Sequence, residues 1–242
     1  MINGAGWIAA VLLSLGAAGP SDGPASPAAK ENVEGGGAVF PHVRIDAAAR
    51  TVEFDGTVPI RLDDPRAPRV YLEVLTCIPD TKEHETLIVT SAKPSHVHAA
   101  LLAIGVEPGK PATWRQEGTK MVPVAPEGAE LAIELEYVDR DGAKRVDRPS
   151  QWIVNARTNE PWPEGPWVFA GSLMMQRQGR EVYEADGSGT LIGLTSFGTE
   201  VIAWPLVISP DSQVQEPEWI ADARRVPPMN TKVTVRLRAV GR

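Results

Sequence analysis

Beyond residue 37 the apolar and polar positions mostly alternate with a period of two, the spacing that turns one strand face to a core and the other to water. Val43 to Asp46 and Thr51 to Phe54 flank Ala47 to Arg50 and predict an opening hairpin. Val70 to Ile78 and Thr86 to Thr90 predict the next two strands. Leu131 to Tyr137 alternates cleanly, and Asp139-Arg140-Asp141-Gly142 turns it into Ala143 to Asp147. Trp167-Val168-Phe169, Glu181 to Tyr183, Thr190 to Leu194 and Val233 to Leu237 complete the strands.

The period changes to that of a helix once. Val97, Leu101 and Ile104 form an apolar stripe at spacings of four and three, with Ser95 as the expected N-cap after Pro94 and Gly105 as the stop. A second helix is expected from Ser150 through Arg157, with Trp152 and Ile153 facing inward. No internal repeat is present. The fold expected is mainly β with a minor α component: a β-sandwich or barrel-like sheet with one or two short helices packed on it. Trp152, Trp167, Phe169 and Leu101 are the expected core.

Composition adds the domain plan. The chain has 242 residues, 43% hydrophobic and 23% charged, with 22 Gly and 22 Pro. Met1 to Ala18 carries no charged side chain, and its apolar run Trp7 to Leu15 ends in Gly16-Ala17-Ala18, the form of a signal peptide cleaved after Ala18. That run is shorter than the ~20 residues a membrane span needs, so no transmembrane span is expected. Residues 19–37 are rich in Pro, Ala and Gly and read as a flexible linker. Residues 38–242 then form a single β-rich domain. The formal charge of −7 argues against nucleic acid as a partner. Lys144, Arg145 and Arg148, and Arg236, Arg238 and Arg242, form two basic clusters that read as solvated strand ends.

Candidate chemistry concentrates between Cys77 and Gly109, which holds the only cysteine and three of the four histidines. Cys77, His84 and His98 are a soft and nitrogen donor set suited to zinc or copper. His96 and His98 cannot share an ion, because helix positions two apart point roughly 200° away from each other. If a strand already begins at His84, then Glu83 and Glu85 face away from it. The competing reading is a polar cluster of Glu83, His84, Glu85, His98 and Asp186 that fixes strand to helix. A short connection should return the helix onto the strand after His84 and bring His84 near His98. Cys77 has no partner for a disulfide, and no orienting residue for a catalytic thiolate is identifiable. There is no Gly-x-Ser-x-Gly, no phosphate loop and no dinucleotide fingerprint. Gly187-Ser188-Gly189 reads as a turn.

Five ordered motifs carry a family resemblance. They are Lys82-Glu83-His84-Glu85; Pro94-Ser95-x-x-His98-Ala99-Ala100-Leu101-Leu102 with Gly105-x-x-Pro108-Gly109; Trp152-Ile153-Val154-Asn155; Pro166-Trp167-Val168-Phe169-Ala170-Gly171-Ser172; and Tyr183-x-x-Asp186 with Val226-Pro227-Pro228. Together they resemble the YdjY-domain family of exported bacterial proteins over roughly Thr57 to Val240. Asp80, Ser196 and Ala203 depart from the glycine, Asn and Asp usual there. The resemblance implies a domain but no mechanism and no catalytic residue. The functional expectation is an exported, periplasmic or extracellular, non-enzymatic binding or structural module of the cell envelope, whose partner is an envelope protein or glycan. The alternative is a metal- or thiol-dependent envelope protein centred on Cys77, His84 and His98.

Overall fold

The structure is a computed structural model that describes residues 40–241 apart from 65, 67 and 68. The expected signal peptide and linker, and Arg242, lie outside the described residues. In chain order the strands are β1 (Val43–Asp46), β2 (Thr51–Thr57), β3 (Val74–Cys77), β4 (Thr86–Thr90), β5 (Thr113–Glu117), β6 (Lys120–Val124), β7 (Glu130–Val138), β8 (Lys144–Asp147), β9 (Ile153–Asn155), β10 (Trp167–Phe169), β11 (Met174–Arg177), β12 (Arg180–Tyr183), β13 (Thr190–Gly193), β14 (Ile202–Ala203), β15 (Trp219–Ala221) and β16 (Lys232–Ala239). Three short helices accompany them: α1 (Pro94–Ala103), α2 (Pro149–Trp152) and α3 (Glu184–Ser188).

Eight strands close into a barrel in the order β2-β16-β7-β10-β14-β13-β3-β4, and β4 returns to pair with β2. Closure brings Gly56 of β2 so close to β4 that a Cβ there would lie 2.5 Å from Ile88 Cγ2. β1 extends the sheet beside β2, and β8 beside β7. The barrel form of the expected β architecture is thus the one adopted, and closure leaves no open edge among its eight strands.

The inward faces follow the period of two. Val52 and Phe54 of β2, Leu131, Ile133 and Leu135 of β7, and Val233, Val235 and Leu237 of β16 are all buried. Trp152, Trp167, Phe169 and Leu101 are buried as expected, and Val97, Leu101 and Ile104 seat α1 on the core. Trp162, Trp167, Trp204 and Trp219 form a packed cluster, with Trp162 4.7–6.2 Å from the other three ring centroids. Trp114 lies outside this core and is half-exposed on β5.

On the outer face of β1-β2-β16-β7 charges alternate across the strands. Arg44 pairs with Glu53 and Asp55, Arg236 with Glu53, Glu134 and Glu136, and Arg238 with Glu134. Lys144, Arg145 and Arg148 face Glu136, Asp139 and Glu164. Among the described residues the cations of the two basic clusters are therefore each matched by carboxylates.

Two helix expectations need correction. α1 begins at Pro94, with Lys93 rather than Ser95 at the N-cap position. Proline fits the first helical position because its missing N–H would be unpaired there. The helix expected from Ser150 through Arg157 is a single turn, after which Ile153–Asn155 runs as a strand against Trp219–Ala221. β-branched Ile153 and Val154 favour that pairing over helix. Gly187-Ser188-Gly189 ends α3 rather than forming a free turn, with Gly189 at φ 75 as its left-handed stop.

Candidate functional site

Both parallel pairs of the barrel are joined by unusually short links. Parallel strands ordinarily need a crossover of a dozen or more residues. Here β3 reaches β4 through residues 78–85, and β13 reaches β14 through residues 194–201. The two links meet, because the Lys82 ammonium lies 3.9 Å from the centroid of the Phe197 ring.

Some amides of these links find backbone carbonyls, Ile78 on Gly189 and Ser196 on Ile208 among them, and carboxylates take others. In the first link the Glu83 carboxylate accepts the amides of Asp80 and Thr81, and Thr81 Oγ1 donates to the Ile78 carbonyl. The amides of Glu83 itself, Asp80 and Thr81 hold the Glu83 carboxyl below the usual carboxylate range. Residues Glu83–Glu85 form a 3₁₀ turn rather than the start of a strand, so the expected alternation of His84 against Glu83 and Glu85 does not apply. His84 is 78% exposed, and its nearest charged partner is Glu85 at 3.8 Å. Glu85 also faces Lys82 at 3.9 Å.

His98 and Asp186 belong to a second cluster, between α1 and α3. Asp186 Oδ1 accepts the Ser95 amide at 2.8 Å, and its Oδ2 lies 3.1 Å from Lys93 Nζ. Asp186 thus supplies from α3 the acceptor that the first turn of α1 lacks on its own side chains. His98 Nδ1 lies 2.8 Å from Tyr183 Oη, and Tyr183 Oη donates to the Gly171 carbonyl at 3.0 Å. The single phenolic proton is committed to that carbonyl. The proton between Tyr183 and His98 must therefore reside on Nδ1, which leaves the lone pair on Nε2. Phe169 and Tyr183 meet the ring edge-on, and burial pushes the His98 pKa down, favouring the neutral imidazole.

These contacts explain the spacing of two motifs. Ser95 and His98 are three apart, as are Tyr183 and Asp186. The outer pair, Ser95 with Asp186, and the inner pair, His98 with Tyr183, lock the two segments together. Gly171 and Ser172 extend the lock. Gly171 has φ 86, and a Cβ there would lie 2.7 Å from Pro108 Cβ, so only glycine admits the Gly105-x-x-Pro108-Gly109 segment. Ser172 Oγ donates to Thr199 O and accepts the Ala185 amide.

The sequence-derived site residues therefore divide. Glu83, His84 and Glu85 sit in the first link, while His98 and Asp186 sit between α1 and α3. Among the described residues His84 and His98 share no hydrogen bond, ion pair or ring contact. Cys77 is fully buried in β3, and burial pushes its thiol up despite the nearby hydroxyls of Thr86 and Thr81. His96 points elsewhere and stacks on Phe40 with ring centroids 5.0 Å apart. Among the described residues no group of three or more His, Cys, Asp and Glu side chains is placed to hold a metal ion, so Cys77, His84 and His98 do not form one ligand set. A groove of about 770 Å³ lined by His42, Asp55, Glu136, Lys144 and Lys232 contains none of the expected site residues.

The YdjY domain model matches residues 43–238. The chain belongs to the YdjY domain family. Comparison with curated proteins and with solved structures found no match. Of the motifs quoted above, Lys82–Glu85 lies in the first link, and those of Pro94–Gly109, Pro166–Ser172 and Tyr183–Asp186 meet at the α1–α3 lock, whereas Trp152–Asn155 runs into the β9–β15 pair.

One member of that region escaped the sequence reading. Glu200, in the second link, is completely buried, with Oε2 accepting the Thr199 amide at 3.0 Å. Its carboxyl is raised above the usual range by burial, against the pull of the amides of residues 197–200. Glu83 and Glu200 both accept amides of their own links, and the deeper burial of Glu200 turns its shift upward. The available signal was a carboxylate set directly before the apolar run Val201-Ile202-Ala203-Trp204.

Proposed function

We propose that this YdjY domain is a non-enzymatic binding or structural module of the bacterial cell envelope, exported through its N-terminal apolar leader and held on a linker. The observation that carries the reading is the use made of the motif side chains. Ser95, His98, Tyr183 and Asp186 are turned on one another, and Glu83 on its own backbone, rather than into a cleft. Catalytic groups need an open position for a reacting atom beside them, and apart from His98 Nε2 the polar atoms named here are engaged with the scaffold. Among the described residues no helix is long and apolar enough to cross a membrane.

Large apolar side chains are exposed on each of two hairpins. Leu173, Met174 and Met175 are exposed on and beside β11, and Trp114 and Met121 on β5 and β6. Exposed Met and Trp side chains of this kind serve protein contacts. Photo-crosslinking residues placed at Met121 and Met175 in the native host should capture an envelope protein, while one at Arg236 on the ion-paired face should not. Adducts absent from both hairpins, or equally abundant at Arg236, would count against this surface. Fractionation of the host, with mass spectrometry of the mature N-terminus, tests export separately. An intact Met1 to Gly19 segment would overturn it.

A further inference from the structure

We propose that Glu200 is a proton-operated latch that sets the footing of two projecting hairpins, β5–β6 and β11–β12. The hairpins need such a footing. Nearly every residue of β5, β6, β11 and β12 is exposed or half-exposed, and an isolated two-stranded ribbon is marginal in water. Their positions are therefore set where they leave the barrel.

Both leave it against the second link. Just before β5, the Ala112 carbonyl lies so close to Gly198 that a Cβ there would be 2.9 Å from it. Just before β11, the Gly171 amide donates to Val201 O, the Ser172 amide to Glu200 O, and Ser172 Oγ to Thr199 O. The same Ser172 Oγ receives the Ala185 amide from α3, which follows β12 directly. The link from Leu194 to Val201 is thus a shared foot.

Glu200 is what that link folds around. Its side chain is sealed from solvent, one carboxyl oxygen holds the Thr199 amide, and Oε1 has no hydrogen-bond partner. A neutral acid tolerates this setting. An ionised one leaves charge on a sealed carboxyl whose Oε1 accepts no hydrogen bond, and the amides of residues 197–200 do not offset the burial. The charged and titratable groups on the surrounding elements are Lys82 over Phe197, Glu73, whose carbonyl receives the Leu194 and Thr195 amides, His98 and Tyr183 beyond Gly171, and Glu184 at the start of α3, paired with Arg177 of β11. None of them hydrogen-bonds Glu200. Burial raises its pKa, so the closed link belongs to the protonated form and is strained as pH rises through that value.

The test is an NMR titration of the full chain from pH 4 to 9, following the Glu200 carboxyl carbon and the amides of Ala112, Thr113, Ser172 and Met174. The carboxyl should titrate above the ordinary glutamate range, and the four amides should follow the same sigmoid. In Glu200→Gln that sigmoid should vanish from the amides. In Ser172→Ala, which keeps the carboxyl but cuts one tie, it should weaken at Met174 and persist at Ala112. A carboxyl midpoint at or below the ordinary range overturns the latch, even where Glu200→Gln does not fold. Amides that titrate identically in Glu200→Gln overturn it as well.

Discussion

Replacing Tyr183 with Phe is the sharpest test of the α1–α3 lock. The ring and its packing stay, and one oxygen leaves. That oxygen joins two groups: it accepts from His98 Nδ1 at 2.8 Å and donates to Gly171 O at 3.0 Å. A net hydrogen bond contributes about 0.5–1.5 kcal/mol, and a buried donor or acceptor left unpaired costs about 1–3 kcal/mol. The His98 ring is half-buried and Gly171 is buried, so water relieves part of the penalty at the ring and little of it at the carbonyl. A loss of about 1.5–3 kcal/mol is expected. With a urea dependence of about 2–3 kcal/mol per molar, the unfolding midpoint should fall by roughly 0.5–1.5 M without a change in slope. Nitrogen-15 spectra should show the Nδ1–H tautomer of His98 in the parent chain and a loss of that preference in Tyr183→Phe. A double-mutant cycle with His98→Ala should return a coupling of about 0.5–3 kcal/mol. An unchanged midpoint together with the Nε2–H tautomer in the parent chain would refute the assignment.

Four further outcomes are expected. The His98 pKa is lowered in the fold, so the unfolded chain binds its proton first as pH falls; stability should be full above about pH 6.5 and decline below it, and His98→Ala should flatten that part of the pH–stability curve. Asp186→Ala removes the acceptor for the Ser95 amide and should cost about 0.5–2 kcal/mol by urea unfolding, while Asp186→Asn should recover part of it. Phe169→Ala empties a fully buried site in β10 and should cost about 3–5 kcal/mol, and a melting temperature that did not move would place the strand elsewhere. Protein purified without an affinity tag should carry no stoichiometric zinc or copper, and chelator should leave its melting temperature unchanged; bound metal would revive Cys77, His84 and His98 as ligands.

The barrel was legible where side chains report burial. Thr86–Thr90 and Trp167–Phe169 agree residue for residue with the expected strands, because each is a short run of largely apolar residues bounded by turn-forming sequence. The hairpin β5–β6 was invisible for the converse reason. Thr113–Glu117 is exposed throughout, so no alternation of burial is written into it. Ser150 to Arg157 looked helical because Ser150 precedes two large apolar residues, but a strand that begins 66 residues after Ile153, at Trp219, decides its fate. β9 is a tertiary choice, and local sequence does not contain it.

The candidate site was half legible, and the missing half follows from one ambiguity. A carboxylate near a histidine is the same sequence signal whether its target is a ligand or a backbone amide. Glu83 and Asp186 were both read as members of one polar centre, yet each accepts an amide, the one in its own link and the other at the start of α1. The need for those acceptors comes from topology. Two parallel pairs are joined by eight residues each, and a helix starts at Lys93-Pro94 with no capping side chain of its own. Neither condition is visible before the strands are paired. The same logic gives Glu200 its place, since the second link also gives an amide to a carboxyl, here a fully buried one instead of a half-buried one. Family motifs without a reaction to explain them are accounted for when short crossovers, rather than substrates, set the demand for polar side chains.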